Sequence, residues 1–507
     1  MYYFLNQYIF ERNSGVEHAE IKRVQLFDAK GVPAKIVTRD FDRSQHRTIK
    51  QFGLTDDDLV NMFDYFQNAE HIDESDYKTL HIQDLHLPVD YQIEPGANVS
   101  HVRSGDHLVE DVWFTPGTIG QLYYVNFFDA SGNLSQTDLY DWRGFKSAEQ
   151  LYGQDGQLMA ENLYTPTGKR VMERYYVKDT QGNPLNTLIR LITDQDVEHY
   201  FTNVEDLFTF FLDKLNQQTE ETNTFIADRP GVANQPLLAM TTKARKYIFF
   251  PIAHATEPED QLNAPLDGYY QVPLSMQGLA KLDGLITMTN RQRGDLEMRL
   301  KQPQMPIMAI SGGVIPAEQA AKAPIMMAKR TSHKLLFVGR LGSEKRVDQL
   351  IRAFNLVHNG MPDATLELRG YGPSETIDEL NALIKELNLT DAVSIPGYTA
   401  DLNDIYDSAQ VFVIASRIDA QPLAMIEALS HGLPIVSYDF NYGPNEIIED
   451  GENGFLIENG NMFSMANSII ELFKDPNKLQ KFSEQAYSSS SRFSEDTVWQ
   501  QWQQIVQ

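Results

Sequence analysis

The sequence predicts an α/β protein with two doubly wound regions and a block of antiparallel hairpins inserted in the first. Three observations predict it. Short apolar strands alternate with helical segments near the start and again from about residue 207. Between about 75 and 200 the texture changes to apolar–polar alternation broken by frequent turn signals. The length of 507 residues, with 42% hydrophobic and 22% charged side chains, suits two or three globular domains and excludes wholesale disorder. The expected divisions are 1–325 for the first region including the 75–200 insertion, 326–490 for the second, and 491–507 for a final helix free to cross back to the first.

Tyr2–Leu5 is apolar and aromatic and reads as a strand. Asn13-Ser14-Gly15 breaks it, and Val16–Phe27 then places Val16, Ile21, Val24, Leu26 and Phe27 at helical spacing. Pro33–Thr38 is the next strand, so the chain opens as a βαβ unit with a parallel sheet. In the middle, Leu122–Phe128, Met159–Tyr164 and Val171–Val177 are strand-like, and turn glycines 132, 156, 168 and 182 are spaced by 24, 12 and 14 residues. That is a run of hairpins. It fits a structural or oligomerisation module and equally an acceptor platform.

Phe225–Ala227, Tyr247–Pro251, Leu285–Thr289 and Ile307–Ile310 return to short apolar strands. Ala317–Lys329 reads as a linker. The second region has strands at Leu335–Val338, Thr365–Arg369, Val393–Ile395, Val411–Ile414 and Ile435–Ser437, with helices such as Val347–Val357, Asp378–Leu387 and Ala424–Ser430 between them. Ser488–Ser491 reads as a loop. Ser494 is a candidate N-cap before Glu495 and Asp496, opening a last helix that carries Trp499 and Trp502.

The charge balance is −27 at pH 7. Such a surface disfavours nucleic acid and broad docking on anionic lipid, leaving at most peripheral membrane association. The absence of cysteine excludes disulfides, thiolate metal sites and a thiol nucleophile. The opening MYYFLNQYIFERNSG lacks a basic segment, an apolar core and a cleavage site, and no apolar run reaches 18 residues, so a cytoplasmic location is expected.

Three stretches carry chemistry. In Phe337–Arg346 a strand ends in Gly339-Arg340, and Lys345 follows five residues later. Cations at the carboxyl end of a parallel strand suit a diphosphate, although a surface Arg and Lys are often only solvated. In Asp419–Leu429, Asp419 and Glu427 stand eight positions apart on a loop and the following helix. They suit sugar or ribose hydroxyls, and Gln421-Pro422-Leu423 at the helix entrance offers backbone N–H groups to an anion. Taken alone, the same stretch is also an ordinary cap plus a surface Glu. Tyr438–Gly451 reads as a strand, a Gly-Pro turn and a short helix.

In this order the stretches resemble the retaining glycosyltransferases of family four, which have the two-Rossmann-domain GT-B architecture. The resemblance is carried by FVGRLGSEKR, LRGYGP with Gly370 and Gly372, IPGY at Ile395–Tyr398, DAQPLAMIEALSHGLPIV and YGPNEIIEDGENGFLI, over about 335–460. NSGVEHAEIKR, PAKIVT and the β-rich insertion narrow it to two groups. These are the accessory Sec protein O-glycosyltransferases, which modify serine-rich repeat adhesins, and the wall teichoic acid glycosyltransferases.

The resemblance implies two Rossmann-like domains facing a cleft, and a donor that is UDP-glucose or UDP-N-acetylglucosamine, with no metal and no cofactor. It implies that Gly15 and Val16 let the backbone approach the donor. Arg340 and Lys345 would grip the diphosphate beside Gly339. Glu427 would hold the ribose, and Pro396 and Tyr398 would flank the uracil. Gln421, Pro422 and Leu423 would line the donor, Asp419 would meet the transferred sugar, and His254 would stand near that sugar.

The family pattern has Glu where this chain has Asp419, one methylene or about 1.5 Å shorter. The implied partners are a UDP-sugar, a serine-rich repeat polypeptide, a glycosyltransferase-like co-chaperone and a second copy of the chain, with no nucleic acid. The rival readings are a teichoic acid α-glycosyltransferase, a non-catalytic glycosyltransferase-like chaperone and a sugar-nucleotide epimerase. No Walker loop, HExxH or GxGxxG is present.

Overall fold

The computed structural model describes residues 1–193, 197–301 and 303–506. The chain forms two compact units. One comprises Met1–Glu11, Ala34–Phe225 and Gln235–Ala244, and the other Arg12–Pro33, Ile226–Asn234 and Arg245–Gln507. The strand Thr224–Ala227 carries the chain from the first to the second. Among the described residues no helix is long and apolar enough to cross a membrane.

In the first unit, strands Tyr2–Asn6, Ala34–Thr38 and Leu59–Asn61 pair in parallel, with Tyr2 opposite Ala34 and Ile36 opposite Leu59. Tyr2–Asn6 is buried along its whole length, as the apolar run requires of a central parallel strand. The insertion is a ten-stranded antiparallel sheet whose strands follow sequence order from Gln92–Glu94 to Glu198–Phe201.

Its hairpins share one loop. Gly132 donates to Asp129 and Asp129 donates to Asn133; the same pair of bonds recurs at Asp141–Phe145, Gly153–Gln157, Thr165–Lys169 and Asp179–Asn183. Each loop has a glycine with positive φ in its fourth place, the arrangement of a type I turn followed by a bulge. The opening residues are spaced by 12, 12, 12 and 14 positions. Gly144 therefore fills the 24-residue gap left by the sequence reading, where Trp142 and Arg143 hide the turn.

Arg143 has a second task. Its guanidinium is fully buried, bonds Asp141 through Nε at 2.7 Å, reaches Asp64 at 2.8 Å through Nη2 and donates to the Ala69 carbonyl. His46 lies on the far side of Asp64, with its ring nitrogens 2.7 Å from Asp56 and 2.8 Å from Asp64. The insertion is thus tied to the segment 46–69 by a chain of buried charges, each paired as burial demands.

The second unit contains a six-stranded parallel sheet in the order Val393–Gly397, Thr365–Arg369, Lys334–Val338, Val411–Ile414, Ile435–Tyr438, Gly454–Ile457. That is the doubly wound order, reversing direction between Lys334–Val338 and Val411–Ile414, where ligands bind in such sheets. Arg245–Phe250, Gly284–Thr287 and Ile307–Ala309 form further parallel pairs in the same unit.

Two expectations need correction. Ala317–Lys329 is not a bare linker but holds a helical turn at Ala317–Ala320 and a tight turn at Met327–Lys329. The serine run is not a loop: it ends the helix Pro476–Ser490 and continues into the tight turn Ser491–Phe493. The hydroxyls of Ser489, Ser490 and Ser491 donate to carbonyls three residues back, and Asn453 donates to Ser489 at 2.8 Å. Tertiary packing overrides the weak helix propensity of serine. Ser494 does cap the last helix, Glu495–Trp502, and Trp499 and Trp502 meet Phe27 edge-on at 5.2 and 5.4 Å.

The His46 network has a consequence for pH. Burial disfavours the charged ring, but Asp64 and Asp56 outweigh it and raise the His46 pKa to about 9. A raised folded pKa gives stability that is complete below pH 6.5 and lost as pH rises through 9. The expected loss is on the order of 3 kcal/mol. It is measured as a fall in the thermal midpoint between pH 6.5 and 9.5 that is shallower in His46→Gln.

Candidate functional site

The helix Gly15–Ala29 opens with a capping box. The Val16 N–H donates to the Ser14 hydroxyl at 3.4 Å, and Ser14 donates through N and Oγ to Glu17 at 2.8 and 2.6 Å. Val16, expected to face the donor through its backbone, thus has its N–H directed to the cap. Further along, Arg229 meets Glu17 at 3.1 Å, Arg23 bonds both oxygens of Asp228 at 2.7 and 2.8 Å, and Lys22 reaches Glu427 at 2.6 Å. A Cβ on Gly15 would stand 4.0 Å from Leu423 Cδ1, so the helix start faces the entrance of the helix Leu423–Ser430.

The cations stand at the reversal point of the six-stranded sheet. Gly339 follows Lys334–Val338 and donates to Arg369 at 3.0 Å. Gly370, at φ +149, has no room for a Cβ, which would fall 1.8 Å from the Gly339 carbonyl. Arg340 is more than half exposed and pairs with Glu344 at 2.6 Å. Lys345 ends a tight turn and meets Asp419 at 2.5 Å. The lysine and the aspartate expected at the diphosphate and the sugar are therefore brought together.

Asp419 is held on its other side by backbone: its N–H donates to Asn441, and Tyr442 donates to its carbonyl at 2.6 Å. Burial pushes the Glu427 carboxyl up, but Lys22, with His18 and the Tyr406 hydroxyl, pulls it below the ordinary carboxylate range. Pro396 and Gly397 end the strand Val393–Gly397, and Tyr398 follows with its ring edge-on to Tyr371 at 5.7 Å.

At the helix entrance, Pro422 has no N–H, so only Gln421 and Leu423 can offer one there, a correction to the sequence reading. The Gln421 side chain is buried and structural. Its oxygen accepts from Ser311 Oγ at 3.0 Å and from the N–H groups of Gly312 and Gly313 at 2.9 and 3.3 Å, while its amide donates to Met288. Gly313 is packed so closely that a Cβ would lie 2.5 Å from Ile426 Cδ1. This loop after Ile307–Ala309 was not singled out by the sequence, although the pair of glycines marks it.

His254 is fully buried. Its Nε2 lies 3.0 Å from the Gln261 carbonyl, which makes Nε2 the protonated nitrogen and leaves Nδ1 an acceptor without a partner among the described residues. Its ring stacks at 6.3 Å on Tyr442, whose hydroxyl donates to Asp295 at 2.7 Å. Among the described residues no group of His, Asp or Glu is arranged to hold a metal ion.

Comparison with known proteins follows the same division. The family described as glycosyl transferases group 1 matches residues 323–489, and the first of the accessory Sec system protein families matches 4–267, more than half of the chain. The poly(glycerol-phosphate) alpha-glucosyltransferase of Bacillus subtilis (strain 168) is 32% identical over 170 residues, 34% of this chain and only 25% of that one. The UDP-N-acetylglucosamine--peptide N-acetylglucosaminyltransferase GtfA subunit of Streptococcus gordonii is 24% identical over 530 residues, covering 99% of this chain and 98% of its own. The crystal structure of the pneumococcal O-GlcNAc transferase GtfA in complex with UDP and GlcNAc superimposes with a TM-score of 0.84 at 20% identity, over 100% of this chain and 98% of that one. The shared fold is GT-B.

Two measurements check this geometry. Gln421→Ala leaves buried donors of the 311–313 loop unpaired and should cost on the order of 1–3 kcal/mol in denaturant unfolding. Burial lowers the His254 pKa to about 4, so its ring resonances should not titrate between pH 5.5 and 8 by NMR.

Proposed function

This chain belongs to that accessory Sec system protein family and is a GT-B glycosyltransferase, and on that premise we propose that it moves N-acetylglucosamine from UDP-N-acetylglucosamine to Ser/Thr hydroxyls of a serine-rich repeat polypeptide before export, with retention of configuration. One observation carries the donor half of the reading: Arg340 and Lys345 stand at the reversal point of a doubly wound sheet, with Asp419 and Glu427 on the strand-end loop and helix beside them. Residues 326–490 hold the nucleotide. Glu427 accepts from the ribose, and Pro396 and Tyr398 flank the base. Gly15 admits the diphosphate at the start of the first helix, and the Nδ1 of His254 accepts from a sugar hydroxyl.

In the reaction the bond from the anomeric carbon to the β-phosphate oxygen breaks, and the bond to the acceptor oxygen forms on the face being vacated. The acceptor proton passes to the departing phosphate oxygen. Arg340 and Lys345 neutralise the charge that develops there, so no metal is assigned. Asp419, shorter than the family glutamate and bonded to Lys345, orients that lysine towards the leaving group.

The acceptor reading rests on coverage. The likeness to the peptide-modifying relative runs end to end, whereas that to the polyol-phosphate enzyme is confined to a third of this chain. A surface with net charge −27 also suits a neutral, serine-rich polypeptide better than a polyanion. The relative's printed name calls it a subunit, which supports a companion glycosyltransferase-like chain here.

The test incubates the chain with a panel of UDP-sugars and two acceptors, a serine-rich repeat polypeptide and a polyol-phosphate polymer, and reads products by mass spectrometry with and without EDTA. N-acetylhexosamine on the polypeptide in both conditions is the expected result, and product on the polymer alone overturns the acceptor. Arg340→Ala or Lys345→Ala should slow transfer at least about 100-fold; near-normal rates in either would remove the assigned roles.

A further inference from the structure

Glu427 is held from two sides by Lys22 and Tyr406, residues to which the sequence reading assigns no role. Lys22 Nζ lies 2.6 Å from Glu427 Oε1, and the Tyr406 hydroxyl donates to Oε2 at 3.0 Å. One donor on each oxygen leaves each with a further lone pair. The glutamate side chain keeps 30% of its exposure, so it is held yet reachable. Both clamps are themselves fixed. Tyr406 is buried, with its ring stacked at 5.1 Å on His431, whose Nδ1 is 2.7 Å from Asp407. Lys22 precedes Arg23, which is locked on Asp228 by two bonds.

We propose that Lys22 is a positioning residue for the ribose of a nucleoside diphosphate: with Tyr406 it sets the Glu427 carboxylate so that its remaining lone pairs accept the two vicinal hydroxyls. The inference rests on the donor reading above. A carboxylate clamped in advance gives up no rotational freedom when ligand arrives, so its hydrogen bonds are felt in full; an unclamped one spends part of them on ordering. An ion pair that merely joined one helix to another would have no bearing on which part of the ligand the protein senses.

The test compares calorimetric binding of UDP and of 2′,3′-dideoxy-UDP to the full chain. The unsubstituted chain should prefer UDP by about 10-fold or more. Lys22→Met should shrink that preference to within about 3-fold, while affinity for the dideoxy ligand stays within about 2-fold of its original value. Lys22→Arg should restore most of the preference, and Glu427→Gln should behave as Lys22→Met does. If the methionine variant does not fold, Tyr406→Phe carries the test, with a loss of about 3-fold in preference. Full ribose preference in Lys22→Met, or equal weakening towards both ligands, overturns the role. Absence of UDP binding to the unsubstituted chain is a different outcome and removes the donor reading itself.

Discussion

The second unit depends on how one helix carries charge into its packing. Gly15–Ala29 buries Glu17 and Arg23 alongside Ile21, Val24 and Phe27, so it lacks a clean apolar stripe. A buried ion without a partner costs several kcal/mol, and a helix with such residues is stable only in a rotation that pairs them. Asp228 and Arg229 meet two of them from one segment, and Glu427 meets Lys22 from another. Charge complementarity, more than apolar area, sets the helix rotation and brings Gly15 against Leu423.

The same economy runs through the site. Arg340, Lys345 and Lys22 each have a carboxylate within ion-pair distance, from Glu344, Asp419 and Glu427 respectively. An anionic ligand therefore exchanges one counter-charge for another instead of meeting bare cations. Discrimination then lies in geometry, because a diphosphate can bridge cations that single carboxylates satisfy only one at a time. Gln421, by tying the 311–313 loop to the helix entrance, keeps the neighbouring backbone in place.

How much of this was legible depended on sequence distance. The strands between 335 and 457 were readable because a strand buried on both faces is a short unbroken apolar run. The cations and carboxylates were readable because their strand-end placement is a local pattern. The role of Lys22 was not, since its partner lies 405 positions away, and neither was that of Arg143, 79 positions from Asp64. Nothing in spacing marks such pairs. Gly144 was hidden by its bulky neighbours, the serine run by packing that overrode propensity, and the N–H shortage at Pro422 was visible but overlooked.

The hairpin loops of the insertion close within their own five residues, and each strand from Gln92–Glu94 onward pairs only with those adjacent in sequence. Such a ribbon can gain or lose strands by duplication or deletion of a single repeat. It is nevertheless subject to parity. One added strand reverses the direction of all that follow and delivers the chain to the wrong edge for the helix Val204–Asn216 and the strand Thr224–Ala227. Two restore both direction and face. The sheet's length is therefore open to evolutionary change only in even steps, and each such step enlarges the exposed surface while leaving the buried charges around Arg143 as they are.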